Sequence, residues 1–483
     1  MVTDEHGFAV ATDVATPDVY MMIGDMMISN DEILQVRGKY RTRKFRKWQL
    51  YLQALNHGPS DMDAELYVKL ALSLPASQNV AIFRDKRRLT RKDMYLLALD
   101  LDPTLADPYV EIVKDDPQPL GKKFRLLNGT EYTLRDMMTL VVSLDANIAS
   151  AYYYLGMTLS DDKKRLRVQL HRNEKESVFS RREFFVACLD LDPCHAAAHA
   201  ALVAILRDDE GGVAIRSAWI TKREMCIMGL TLKQPLCSTY LILASILRDD
   251  EMVQLKNGSV VTKMELLLQA TTIDPLSVRA YQMLAYTMRS LGIPSTIING
   301  KDMSIVDIGF YLIKLDSKLA SAYDLLASQL HGPDDYMYMP RDKHTTMKVT
   351  KWDLYELAIE CDKTYARAYY NLATLLPQLS YKITLKDGRM MSQLDLYLQV
   401  IHLDGTFARA YNNIAVQLIS PTEKVPLHNG NILSKKELFI MAIAMDPSLV
   451  IAYHNLAALM QSPTEKVTLK DGRCMTMEQL LHY

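Results

Sequence analysis

A single register recurs along the chain and constrains its fold more than any other feature. The stretch "LDANIASAYYYLGMTL" at 144–159 returns as "LDPCHAAAHAALVAIL", "IDPLSVRAYQMLAYTM", "LDSKLASAYDLLASQL", "CDKTYARAYYNLATLL", "LDGTFARAYNNIAVQL" and "MDPSLVIAYHNLAALM". Its aromatic slot falls on Tyr20, Tyr67, Tyr109, Tyr152, His199, Tyr240, Tyr281, Tyr323, Tyr369, Tyr411 and Tyr453, at steps of 47, 42, 43, 47, 41, 41, 42, 46, 42 and 42. Self-similarity at such a period marks a repeat architecture, in which each repeat buries its apolar face only against its neighbours. The spacing predicts one continuous array over 1–483, made of eleven repeats of about 42 residues, with a truncated last repeat and no separate domain.

Within a repeat, Tyr369, Leu372, Ala373 and Leu376 set one apolar stripe at helical spacing, which predicts a first helix. Asp-Pro pairs at 192–193, 274–275 and 446–447 are expected to open that helix, since proline suits a first turn. A second helix is predicted by ten capping boxes: Thr90/Asp93, Thr133/Asp136, Ser180/Glu183, Thr221/Glu224, Thr262/Glu265, Ser304/Asp307, Thr350/Asp353, Ser392/Asp395, Ser434/Glu437 and Thr476/Gln479. Between the helices, Asn-Gly or Asp-Gly stands at 128–129, 257–258, 299–300, 387–388, 429–430 and 471–472, always four residues before the capping hydroxyl. These dipeptides supply the positive φ values of a type I′ turn, so "ITLKDGRMMSQLD" at 383–395 reads as a β-hairpin running into a helix. Isolated hairpins are marginal. Successive ones are therefore expected to pair into one antiparallel sheet along an edge of the array.

In this pattern the chain resembles the tetratricopeptide repeat family. The first helix carries an aromatic, a leucine and a small residue at Tyr369, Leu372 and Ala373. The second carries an aromatic followed three later by alanine at Tyr95/Ala98, Tyr355/Ala358 and Phe439/Ala442, with Pro103 and Pro447 in the proline slot. The resemblance covers nearly the whole chain. The family repeat is about 34 residues, and the inserted hairpin makes these longer. The resemblance implies a mainly α fold, a right-handed α-solenoid or superhelix of helix pairs, whose first helices line a concave groove for extended or helical peptides. Gly309 and Cys226 replace the second-helix aromatic and His199 the first-helix one, which predicts looser packing there.

Composition narrows the function. With 49% hydrophobic residues, 23% charged residues and a net charge of −1, the chain can bury an extensive core and has no overall pull toward nucleic acid or anionic membrane. The start "MVTDEHGFAV" lacks a signal-peptide pattern, and "AAAHAALVAIL" is too short to span a bilayer. Six cysteines without a CxxC pair fit reduced thiols, and the expected location is the cytoplasm or another reducing intracellular compartment. Cys188, Cys194, His195 and His199 form a ligand-like cluster with two histidines one turn apart. Cys188, His195 and His199, however, fill repeat-defined packing slots, so neither a metal nor a cofactor is expected. The phosphate-loop, nucleophile-elbow, HExxH and EF-hand patterns are absent, and the acids and bases stand at caps and turns. Enzymatic activity is not expected.

Two features point to recognition. Arg279, Arg367 and Arg409 share the slot two before the tyrosine, and Asn371, Asn413 and Asn455 the slot two after, with Tyr370, Asn412 and His454 beside them. On a concave face these residues suit an acidic or polar peptide. The second feature is basic: Arg37, Lys39, Arg41, Arg43, Lys44, Arg46 and Lys47, and farther on Arg87 and Arg88 within 84–92. Such runs suit an anionic partner, RNA or an acidic tail, although no aromatic stacking pattern accompanies them. The reading that follows is a non-enzymatic scaffold for protein partners, which meet the groove or the hairpin edge. The alternatives are a structural subunit of a large cytoskeletal or ribonucleoprotein assembly, or a binder of an anionic partner. A chain ending inside a second helix is also expected to make an end-on contact or to belong to a longer array.

Overall fold

The computed structural model describes residues 9–10, 16–37, 42–57, 64–75, 77–115, 123–161, 163–170, 176–207, 210–340 and 345–483. They form two compact bodies, Met1–Ile242 with Leu255–Gly258 and Leu243–Gln254 with Ser259–Tyr483, and the division falls inside the helix Cys237–Ile246. Each body is a stack of helix pairs with a hairpin between the two helices of every pair, so the fold is a mainly α solenoid. A representative stretch of the second body runs helix Val278–Ser290, hairpin Ser295–Ile298/Lys301–Ser304, helix Ile305–Leu315, then helix Ala320–Ala327, hairpin Tyr336–Pro340/Thr346–Thr350 and helix Lys351–Cys361. The first helices Ala366–Thr374, Ala408–Gln417 and Val450–Ala457 follow at the same spacing. Among the described residues the hairpin occurs in all eleven repeats, including the five without an Asn-Gly or Asp-Gly corner.

The cause of the stack is the apolar stripe. In the second body one continuous core runs from Ala320 to Leu480, and it takes the tyrosine, aliphatic (Leu326, Leu372, Ile414, Leu456) and alanine slots of its first helices together with Tyr355/Ala358, Tyr397/Val400 and Phe439/Ala442 of its second helices. All ten capping boxes form, with the hydroxyl and the acid, or Gln479 in the last, satisfying each other's backbone amide. The aspartate before the proline slot does something other than open the first helix. Asp192, Asp274 and Asp446 are C-caps of the second helix, and the carboxylate of each accepts the N–H two residues on, at 2.9, 3.1 and 2.9 Å. This Asx turn reverses the chain, and the first helix begins at Ala196, Val278 or Val450.

Two expectations about the hairpins are corrected. Type I′ geometry, with both corner residues at positive φ, holds at Asn299-Gly300 among the Asn/Asp-Gly corners; at the other five only the glycine is positive. There the glycine N–H donates back three residues, as Gly388 does to Leu385, and Leu385 N–H donates to Arg389, which is a type I turn closed by a glycine bulge. The hairpins also do not merge. Those at 387–388 and 429–430 are separate two-stranded sheets, and among the described strands the one larger sheet arises where Ala9–Val10 joins Ile33–Arg37. The reason is that each corner is anchored to the second helix of the preceding repeat. Leu385, Leu427 and Leu469 are buried beside the corner, Arg84 N–H donates to Asn56 at 2.9 Å, Arg216 N–H to Asp190 at 2.8 Å, and Asn299 to the Thr271 carbonyl at 3.2 Å. Packing onto a helix, not pairing with a neighbouring strand, supplies the stability an isolated hairpin lacks. Nor is the Gly309 repeat loose: Leu326 fills the space, and a Cβ on Gly309 would lie 2.5 Å from it.

Candidate functional site

The tyrosine slot is structural. Tyr109, Tyr152, Tyr323 and Tyr411 each donate the hydroxyl to the carbonyl six residues back, at 3.1, 3.0, 3.0 and 3.2 Å. His199 keeps the same bond through Nε2, 2.8 Å from the Pro193 carbonyl. That bond requires the proton on Nε2, so Nδ1 is a bare acceptor; it is buried without a partner in a residue 2% exposed. His195 caps the same helix, its Nδ1 accepting Ala198 N–H at 3.1 Å, and its ring lies tilted against Tyr153 with centroids 5.0 Å apart. Burial pushes both imidazoles below the ordinary histidine value. It also pushes the Cys188 thiol up to about 12, while Cys194 is exposed. The four ligand-like residues thus have separate packing, capping or surface positions.

The second body assembles a polar cluster that was not legible in the sequence. Asp324, 2% exposed at its side chain, sits in the slot after Tyr323 and accepts Asn371 Nδ2 at 2.6 Å and the Tyr365 hydroxyl at 3.2 Å; the Arg367 Nε lies 3.5 Å away. The Arg289 and Arg367 guanidinium carbons stand 5.2 and 5.5 Å from the centroid of the Tyr286 ring. Burial raises the Asp324 carboxyl above the usual carboxylate range, opposed by Arg367, Asn371, Tyr365 and Arg289, and it raises the Tyr286 and Tyr365 hydroxyls too. Helices Val278–Ser290, Ala320–Ala327 and Ala366–Thr374 thereby bring two guanidinium groups to one carboxylate. The available signal was an aspartate at a slot flanked by buried positions.

The asparagines follow a rule between repeats. Each donates to the slot after the tyrosine in the preceding repeat: Asn371 to Asp324, Asn413 to the Tyr370 hydroxyl at 3.1 Å, and Asn455 to Asn412 Oδ1 at 2.9 Å. Asn413 also reaches Tyr397 at 3.3 Å, and Tyr370 packs 4.9 Å from Phe407. Asn412 is buried, whereas Arg279, Arg409 and His454 are exposed. Of the groove candidates, the arginines and His454 remain available at the surface, and the three ladder asparagines spend their amide hydrogens inside the protein.

In the first body Lys44, Arg46 and Arg88 are exposed, Lys47 Nζ binds the Met27 carbonyl at 2.8 Å, and Arg87 pairs with Asp85. Lys39 and Arg41, and the side chains of Arg37 and Arg43, lie outside the described residues. The first helices of this body also leave a cavity of about 240 Å³, lined by Glu65, Val68, Lys69, Leu72, Leu105 and Asp107 among others. Among the described residues no three metal-ligating side chains converge, and no helix is long and apolar enough to cross a membrane.

No family model matches the chain and no curated protein matches it. Among solved structures it is similar to the crystal structure of yeast Tom70, at 12% identity over 86% of this chain and 88% of that one, with a TM-score of 0.30. It is also similar to the APC/C hetero-tetramer Cut9–Hcn1, at 14% identity over 86% and 80%, again with a TM-score of 0.30. The chain's own helix pairs, caps and repeat slots define a mainly α solenoid.

Proposed function

We propose that the chain is a non-enzymatic scaffold for protein partners, and that its second body holds an acidic segment against its first helices. The observation that supports this is the meeting of Arg289 and Arg367 on one tyrosine ring around a single buried carboxylate. Two cations against one anion leave an excess of positive charge, and Arg367 keeps 44% of its side chain exposed. Exposed Arg279, at the other end of the helix that carries Arg289, and Arg409, on the next first helix after that of Arg367, carry the same sign. Guanidinium groups held by stacking and by a carboxylate are pre-organised for a further carboxylate, because little rotamer entropy is left to lose.

The test is fluorescence anisotropy with a labelled oligoglutamate peptide. A charge-assisted contact contributes about 1.5–3 kcal/mol. Removing two with Arg289→Ala and Arg409→Ala should therefore weaken binding at least about tenfold. Neutralising Lys44, Arg46, Arg87 and Arg88 should leave that affinity within about twofold, the size of an exposed charge effect. If binding survives the first change and disappears with the second, the groove is not the site, and the anionic-partner reading of the basic segments takes its place.

A further inference from the structure

We propose that the first body carries a second, oppositely charged docking groove, which takes a partner segment bearing one large apolar side chain flanked by basic residues. The groove lies where the slot after the tyrosine meets the slot four before the next repeat's aromatic. At three other junctions it is filled from within. Tyr153 packs against His195 with ring centroids 5.0 Å apart, Tyr370 against Phe407 at 4.9 Å, both tilted by 40°, and Tyr365 donates to Asp324 at 3.2 Å. Between the helices Ala64–Ser73 and Asp107–Asp115 the same two slots hold Val68 and Leu105. Neither side chain is large enough to meet the other as the rings do, and the result is the cavity of about 240 Å³.

That space exceeds the volume of any single apolar side chain, and its lining sets apolar Val68, Leu105, Ala106 and Pro108, with Leu72 48% exposed, beside charged Glu65, Lys69 and Asp107. The space is open to solvent on one side and so is accessible to a side chain from outside. The surroundings define the flanks of the occupant. Asp107, Glu111 and Asp115 stand one turn apart along one helix; burial raises the Tyr95 hydroxyl most, and all three add to it, opposed by Arg91. With Glu65 and Asp25 they make five carboxylates against four cations, Lys47, Lys69, Arg91 and Lys114, a net of −1. The cations are already matched, Lys69 to Asp25 at 3.0 Å, Lys114 to Glu111 at 2.6 Å, Lys47 to the Met27 carbonyl at 2.8 Å and Arg91 to the Leu74 carbonyl. A basic segment gains from this field and an acidic one is repelled.

The experiment uses the full chain and a fluorescein-labelled peptide of one phenylalanine between lysines, followed by anisotropy at low and high salt. Salt-sensitive binding is expected, and Leu105→Phe, which supplies the ring that Phe407 supplies in its own junction, should weaken it at least about tenfold, the factor that burial of one large apolar side chain is worth. Asp107→Lys, an exposed change that leaves the packing intact, should weaken it as well. A peptide with alanine for phenylalanine, or with glutamates for lysines, should bind at least about tenfold more weakly. The proposal is overturned if Leu105→Phe, with its helical circular dichroism retained, binds like the wild type, if the glutamate peptide binds as well as the lysine one, or if the wild type fails to bind at about 1 mM peptide. The Arg289→Ala, Arg409→Ala protein should bind this peptide normally, so failure of the arginine site and failure of this groove are read separately.

Discussion

Acid should loosen one joint of the first body, and the two histidines there set the size of the effect. His199 imitates the repeat tyrosine with Nε2 and leaves Nδ1 buried and bare, while His195 uses its own Nδ1 to hold Ala198 N–H. Protonating His199 places a charge where it has no partner, and protonating His195 breaks the cap. Burial lowers both imidazoles from their ordinary 6.5; the Pro193 carbonyl and Asp192 oppose it at His199, and Asp192 opposes it at His195. The unfolded chain therefore binds more protons below 6.5. Stability is fully present above that pH and is lost as the pH falls from 6.5 toward the depressed folded values. Each histidine costs at most about 1.4 kcal/mol per pH unit. For the pair the ceiling is roughly 4 kcal/mol at pH 5, and a kilocalorie moves the Tm of a body this size by about 2–4 °C. The Cys188 thiol, at about 12, does not titrate in this window, and the other described histidines are exposed.

The repeats supply their own controls. Tyrosine occupies the His199 slot elsewhere, and Ser277 caps a first helix at the slot of His195, accepting Ala280 N–H at 3.4 Å. Thermal unfolding of wild type, His199→Tyr, His195→Ser and the double variant should be followed by circular dichroism from pH 7.5 to 5.0. The wild-type Tm should fall below pH 6.5, each single variant should fall less, and the double variant should be flat relative to them. Groups whose titration is the same in both proteins cancel in the difference. Identical pH slopes in wild type and double variant would refute the reasoning.

Asn413→Ala removes bonds to Tyr370 and Tyr397, and each should cost about 0.5–1.5 kcal/mol; urea unfolding that shows no change would mean the ladder is ornamental. Gly388 holds φ +85 with open space around it, so Gly388→Ala should destabilise by roughly 1–2 kcal/mol through backbone strain alone, whereas the paired Asp387→Ala should cost less, consistent with a turn residue and not a chemical one.

The periodicity, the capping boxes and the apolar stripes determined the helix pairs, because these are local patterns whose physics is satisfied within a few residues. The capping hydroxyl and acid at Thr262 and Glu265 need only the first turn of their own helix, and so they are readable without a fold. What the hairpins do was a tertiary decision: the corner at 387–388 reads as a hairpin, but whether it pairs with the next hairpin depends on the helix it packs against. Asn371 shows the same limit. Its slot announced a polar, repeated surface, yet the carboxylate it meets belongs to a residue 47 positions earlier, and burial of Asp324 turns a candidate ligand contact into an internal one. The groove between Val68 and Leu105 is visible only when two first helices stand side by side, since a cavity is a property of the space between residues and no single residue encodes it.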